Sequence, residues 1–441
     1  MGQSKQVIGG VTMDADENRQ IGQDRAPVAP GSVSGTSTYV PHAIANRAFS
    51  FRGETLATES NTEIALVRMD EMARTYPYGA SLVRILNRVE AMATVRSDGV
   101  EPDLMQLLHL EFAREVGKAS PREQKMYLRK VFHGSPLVTI EASYEAFCCI
   151  ETLEWIERYE PKPEGITSDD VWKLYELCMR GTRKERDAGR RGSNTRSEAK
   201  SPNSGVRYMP PDYRQIDMFI DDLVEFCNRP SLTPLTRSAI AHFQLEAIKP
   251  VSEGLDRWGR MLAFLIWRQC GLMENMLPPF SLTPAVQTRK HTELLIPYQT
   301  GQDFAKRSAS ASLDSWVAHC ARATGRSVPL AYLYRDCVTD IEADWHDRCT
   351  DMHKGSALDA LLSHLVAIPI VSVPSASAIT GKSYQTAAEA VARLVDLDVL
   401  TPLTEGKRNR MFVAHEAVER LSHLQTQFIP AKATTRESFF R

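Results

Sequence analysis

A mainly α-helical fold is predicted by three features of this chain. Apolar residues recur at three- and four-residue spacing through most of residues 60–353, as in SLVRILNRVEAMA, where Leu82, Ile85, Leu86, Val89 and Met92 share one face. Strand-like patterns are confined to a loop or short hairpin after Gly181 and to two short runs near the C-terminus. With 441 residues, 43% of them hydrophobic, the chain can bury a sizeable core and divides into two or three domains. The expected fold is an all-helical core carrying a small β-hairpin flap, followed by a winged helix-turn-helix domain.

The elements follow in order. Residues 1–38 are rich in Gly, Ser, Pro and Thr without a hydrophobic period, which predicts a mobile arm. Order is expected from Tyr39, and an N-terminal helical segment of four or five helices from there to 160. A core domain is expected over 161–330. Within it, Gly181–Tyr213 is basic and broken by Gly and Pro, and long loops of this kind are often functional. Helices resume at RQIDMFIDDLVEFCNR and continue to about His353. The 355–425 segment reads as helix, short helix, a turn at Gly381, long helix, then VLTPL and RMFVA as strands around EGKRNR. That spacing resembles a winged helix-turn-helix. Ser383 would cap the recognition helix and Ala387, Val391 and Leu394 would bury its inner face, leaving Lys382, Gln385, Lys407, Arg408 and Arg410 for DNA phosphates. The alternative is a dimerisation or regulatory module that touches no DNA.

Composition narrows the partners. A net charge of -2 supplies no global field for nucleic acid, so such binding would need a local basic patch. The eight cysteines form no C-x-x-C pair and no metal-ligand spacing; without a secretory leader they are expected as reduced thiols of a cytoplasmic protein. The longest apolar run, Met261–Trp267, is far short of the roughly 20 residues that cross a bilayer, so no membrane partner is expected. A homodimer stays open.

The most informative stretch is LEAIKPVSEGLDRWGRML, Leu245 to Leu262. A helix with Leu235, Ala239, Phe243 and Ala247 on one stripe runs into Pro250, and a short loop leads to a second apolar helix that ends at Gly271. Amides at the second helix's start, with Arg257 and Arg260, suit an anion, and Glu253 suits a metal ion that bridges phosphates. The plainer alternative pairs both arginines with Glu253, Asp256 and Glu246.

HFQLEAIKPVSEGLDRWGRMLAFLIWRQCGL resembles the central motif of the Fic (Fido) family, HPFxDGNGRxxR after a helix of the form aHaqFEaI, with Lys249 to Arg260 on its twelve positions. YVPHAI, RVEAMATVRSDGVE and RYMPPDYRQIDMFIDDLVEFCN are similar to further family segments, so the resemblance spans about 39–425. It implies a Fic-type helical core and transfer of AMP from ATP, with Mg²⁺, onto a protein hydroxyl; the target protein is unspecified. By the resemblance, Lys249 stands at the position of the catalytic base, Glu253 at the Mg²⁺ ligand, and Gly254, Arg257 and Arg260 in the nucleotide cradle. Thr94, Asp98 and Gly99 correspond to the family's inhibitory [ST]xxxE[GN] helix.

The departures carry chemistry of their own. As a neutral base at pH 7, Lys249 needs its pKa lowered by roughly three units, about 4 kcal/mol, and Glu253 and Asp256 are expected to push it up. Asp256 replaces the nest Gly, bringing a Cβ where positive φ is expected and a carboxylate near phosphate. At about 4 Å and an effective dielectric near 20, that repulsion is on the order of 4 kcal/mol. Leu255 and Val251 replace Asn and Phe, and Asp98 is shorter than the inhibitory Glu. Three readings stand at this point. The chain is a Fic-fold protein that has lost efficient AMP transfer and regulates; or a transferase with altered chemistry, using Lys249 as a point charge and His242 or the flap as base; or a transcription regulator built on the winged helix.

Overall fold

The computed structural model describes residues 6–8, 11–13, 37–38, 41–182, 199–200, 207–209, 211–283, 309–350, 352–404 and 410–428. These residues are mainly α-helical, as expected. The first half of the chain forms β1 (Gln6–Ile8), β2 (Val11–Met13), β3 (Ser37–Thr38), α1 (Gly53–Thr75), α2 (Gly79–Ser97), α3 (Leu104–Ala119), α4 (Pro121–Val131), α5 (Leu137–Glu157) and α6 (Ser168–Met179). There follow β4 (Ala199–Lys200), β5 (Arg207–Met209), α7 (Ile216–Cys227), α8 (Pro234–Ile248), α9 (Leu255–Gln269) and α10 (Ala309–Arg348). The C-terminal part is α11 (Ala357–Leu365), β6 (Ile370–Ser372), α12 (Val373–Thr380), α13 (Tyr384–Asp396), β7 (Thr401–Pro402), β8 (Met411–Val413) and α14 (His415–Thr426). None of the described helices is long and apolar enough to cross a membrane.

The chain divides into two compact units, one of residues 1–64, 158–273 and 288–325, the other of 65–157, 274–287 and 326–441. In the first, β1 and β2 pair antiparallel within the stretch expected as an arm. β4 pairs antiparallel and β3 parallel with β5, so a small hairpin stands where the flap was expected.

The helical core of this unit is built on α8 and α9, which pack along each other. Thr233 caps α8 by accepting from the Thr236 amide, and Pro234 occupies the first turn, where its missing N–H costs nothing. Buried indoles lock the neighbouring helices, because a tryptophan N–H taken out of water must find an acceptor. Trp258 of α9 donates to the Val171 carbonyl of α6 at 2.8 Å, Trp267 to Ser238 Oγ of α8 at 2.9 Å, and Trp316 of α10 to the Ala239 carbonyl at 2.7 Å. Three indoles thus fix the rotation of α8 and α9 against their supports.

In the second unit α2 is buried on nearly every face and packs on α5. Its buried polar groups are paired: Arg88 donates to Glu111 at 2.8 Å and to the Ala367 carbonyl at 2.7 Å, while Glu90 accepts from the amide and hydroxyl of Ser281. Leu108 and Phe112 of α3 form a cluster with Ile370, Met411 and Val413. The C-terminal segment has the order α11, β6, α12, α13, β7, β8, with the three strands arranged β6–β8–β7. Gly381 ends α12 at φ 66°, Ser383 caps α13, and Ala387, Val391 and Leu394 are buried on its inner face. β6 had no counterpart among the expected elements; its apolar run is too short to be separated from helix by periodicity and is a strand because β8 pairs with it.

Candidate functional site

The connection from α8 to α9 turns on two left-handed residues. Lys249 ends α8 at φ 48°, ψ 60°, its amide donating to the Leu245 carbonyl at 2.9 Å, and the following Pro250 cannot continue a helix. Gly254 opens α9 at φ 75°, where a Cβ would lie 2.1 Å from Met179 Cε. Between them Val251 is buried, and so is Leu255 at the start of α9. Apolar packing therefore holds the loop where the family motif uses Phe and Asn. The expectation of positive φ at Asp256 is corrected: the residue sits in the first turn of α9, and positive φ falls on Lys249 and Gly254 instead.

Placed on that turn, the Asp256 carboxylate has two neighbours. Its Oδ2 accepts from Arg260, one helical turn on, at 2.5 Å. Its Oδ1 lies 3.1 Å from Nε2 of His242 on α8. Helix α9 approaches the imidazole this closely only because residue 259 is glycine; a Cβ there would be 2.0 Å from His242 Cδ2. Trp316 meets the other side of the ring edge-on, with centroids 5.6 Å apart. The plainer pairing raised from the sequence thus holds for Arg260 and Asp256. Arg257 is 0% and Arg260 1% exposed, while Glu253 is exposed.

The electrostatics of Lys249 also differ from expectation. Burial lowers its pKa, and the raising effects of Glu246 and Glu253 do not overcome that. The loss of water around the amine outweighs the neighbouring carboxylates. Lys249, Glu253, Gly254, Arg257 and Arg260 all lie on the one turn and helix start. Thr94 is buried near the end of α2, Asp98 caps that helix and Gly99 follows at φ 85°, all in the second unit. Lys382 and Gln385 are exposed about the start of α13, where Gln385 donates to Glu389 at 2.9 Å. The Arg410 guanidinium lies 5.2 Å from the Phe412 ring centre, and Lys407 and Arg408 lie outside the described residues.

A nucleotide diphosphate with Mg²⁺ needs guanidinium edges turned to an open cleft and no anion already among them. Here both arginines are buried and a carboxylate of the chain itself holds Arg260. The residues present do not fit that group. What they do assemble is a set not singled out in the sequence, His242, Glu246 and Asp256, with one ligand-type atom from each lying within 4.8 Å of the others. The four-residue spacing of His and Glu in HFQLE puts both on one helix face; nothing in the sequence brings Asp256 to them.

Several solved structures are similar to the chain, two of them as follows. A Fic family protein from Desulfovibrio desulfuricans G20 is 16% identical, with 83% of this chain and 97% of that one covered and a TM-score of 0.45. Fic-1 (residues 134–508) from C. elegans is 16% identical, with 64% and 73% covered and a TM-score of 0.41. No curated protein matches the chain. The model of the Fic/DOC family matches residues 165–267, which hold α6 to α9 and the whole Lys249–Arg260 turn. By that match residues 165–267 of the chain are a Fic/DOC family domain.

Proposed function

We propose that this Fic/DOC-family protein does not transfer AMP efficiently and acts through binding, as a regulatory protein. The observation that carries the reading is the Asp256 carboxylate on Arg260 NH1, an anion built into the chain at the group that would meet phosphate. A second anion beside it would be repelled by about 4 kcal/mol at 4 Å and an effective dielectric near 20, which is a little under a thousandfold in affinity. Lys249, cationic near neutrality unless its pKa falls by several units, adds no ready base at the motif's first position.

A second reading rests on the lowered pKa of Lys249. Burial moves this amine toward the neutral form that could accept a proton, in an altered group-transfer reaction. One experiment separates the two: the full chain is incubated with Mg²⁺ and ATP labelled at the α-phosphate, with and without generic protein acceptors. No labelled protein, and no change of Tm with ATP and Mg²⁺, is the expected outcome, since a ligand that binds only the folded state must raise Tm. Robust labelling that Lys249→Met abolishes would overturn the first reading in favour of the second. A third reading assigns regulation to residues 355–425 as a winged helix-turn-helix, supported by the strand and helix order there and by exposed Lys382 and Gln385.

A further inference from the structure

We propose that His242, Glu246 and Asp256 form a binding site for one divalent transition-metal ion, of the Mn²⁺, Fe²⁺ or Zn²⁺ type, distinct from any Mg²⁺ carried on a nucleotide. The inference does not rest on the loss of AMP transfer and survives its failure.

His242 and Glu246 are four residues apart on α8, hence stacked on one face, and Asp256 comes to them from the first turn of α9. Metal–nitrogen and metal–oxygen bonds of about 2.0–2.2 Å at roughly tetrahedral or octahedral angles place neighbouring ligand atoms about 3.0–3.5 Å apart. His242 Nε2 and Asp256 Oδ1 already stand at 3.1 Å. The Glu246 oxygen is within 4.8 Å of both.

Support from the surroundings is the second line. Arg260 donates to Oδ2 of Asp256, and the other carboxylate oxygen, Oδ1, faces the imidazole at 3.1 Å. Carboxylate ligands of metal ions are oriented by such outer hydrogen bonds. Gly259 contributes by absence, since any Cβ there would lie 2.5 Å from the same His242 Nε2. The imidazole is 3% exposed and fixed against Trp316, so little ordering entropy is left for it to lose on binding.

The chemistry of the ligand atoms then selects the ion. Arg260 beside Asp256 and Lys249 beside Glu246 offset the charge of the two carboxylates, so discrimination falls to the donor set itself. One nitrogen with two oxygens suits Mn²⁺, Fe²⁺ or Zn²⁺, whereas Mg²⁺ favours oxygen and water.

The test uses the full chain stripped with a chelator and titrated with Mn²⁺, Zn²⁺ and Mg²⁺, following Tm and the free Mn²⁺ paramagnetic resonance signal. One equivalent of Mn²⁺ or Zn²⁺ is expected to bind and raise Tm, with Mg²⁺ at least tenfold weaker. Glu246→Gln should weaken Mn²⁺ at least tenfold, and Glu253→Gln should leave it unchanged. Because changes at His242 endanger folding, electron–nuclear double resonance of the unmodified Mn²⁺ protein serves as the second measurement, and it should show one coupled imidazole nitrogen. No stoichiometric binding, affinity unaffected by Glu246→Gln, or absence of nitrogen coupling would each overturn the proposal.

Discussion

Asp256 can be removed without asking the backbone to change, because its φ is helical and alanine keeps it. Two opposite effects follow from Asp256→Ala. Arg260, 1% exposed, loses its carboxylate, and a buried cation deprived of its partner is costly. Asp256 is 30% exposed, so the loss should be roughly 2 kcal/mol, below the fully buried range. The same change removes the built-in anion. Phosphate or ATP with Mg²⁺ should therefore recover part of the lost Tm in the variant while leaving the unmodified protein unmoved. Scanning fluorimetry of both proteins against phosphate concentration decides it, and an equal response of the two would mean that Asp256 does not guard Arg260.

At the scale of the element, α10 buries a carboxyl, that of Glu342. Glu342 is 1% exposed, and neither of its carboxylate oxygens has a hydrogen-bond partner among them. Burial, assisted by Asp359, raises its pKa from 4.5 to about 8; His346 Nδ1 lies 3.8 Å from Oε2, and Tyr76 and Tyr78 are nearby. A carboxyl with a raised folded-state pKa is held protonated by folding. Its contribution is intact below the unfolded value near 4.5 and is lost as pH rises through about 8. Glu342→Gln keeps the shape and cannot ionise. The variant should match the unmodified protein at pH 4.5 and exceed it by a few kcal/mol at pH 9, read from denaturant midpoints at the two pH values. A gap that shrinks with rising pH would show that Glu342 is ionised in the fold.

The elements also show what the sequence could disclose. Helix α8 was legible because Leu235, Ala239, Phe243 and Ala247 repeat at helical spacing and all are buried, and α13 because Ser383 and Gly381 mark its boundary. Strand β6 was not, since three residues carry no period. The Arg260–Asp256 pair could be read as an alternative, being four residues apart on one helix. The approach of His242 to Asp256 depends on how α8 meets α9, and the lowered pKa of Lys249 depends on how much water the folded loop excludes. Neither quantity is local in sequence.

For the whole molecule, the family match covers 165–267, and the chain's net charge of -2 supplies no long-range attraction to a polyanion. If residues 355–425 bind DNA, the interaction must come from a local patch, whose cations are Lys382, Lys407, Arg408 and Arg410. Four phosphate contacts release at most about four counterions, so log K should fall with log salt at a slope no steeper than about -4. The alternative surface for the same segment, an apolar contact with protein, has no such dependence. The full chain, titrated with labelled duplex across a range of salt, should show weak binding at low salt that vanishes as salt rises. Lys382→Ala should reduce the slope by about one and weaken all duplexes alike, because a phosphate contact carries no sequence information. Absence of binding at low salt would make the segment a protein-contact module. A slope much steeper than -4 would require a second basic surface, and the basic stretch between Gly181 and Tyr213 is where the sequence concentrates one.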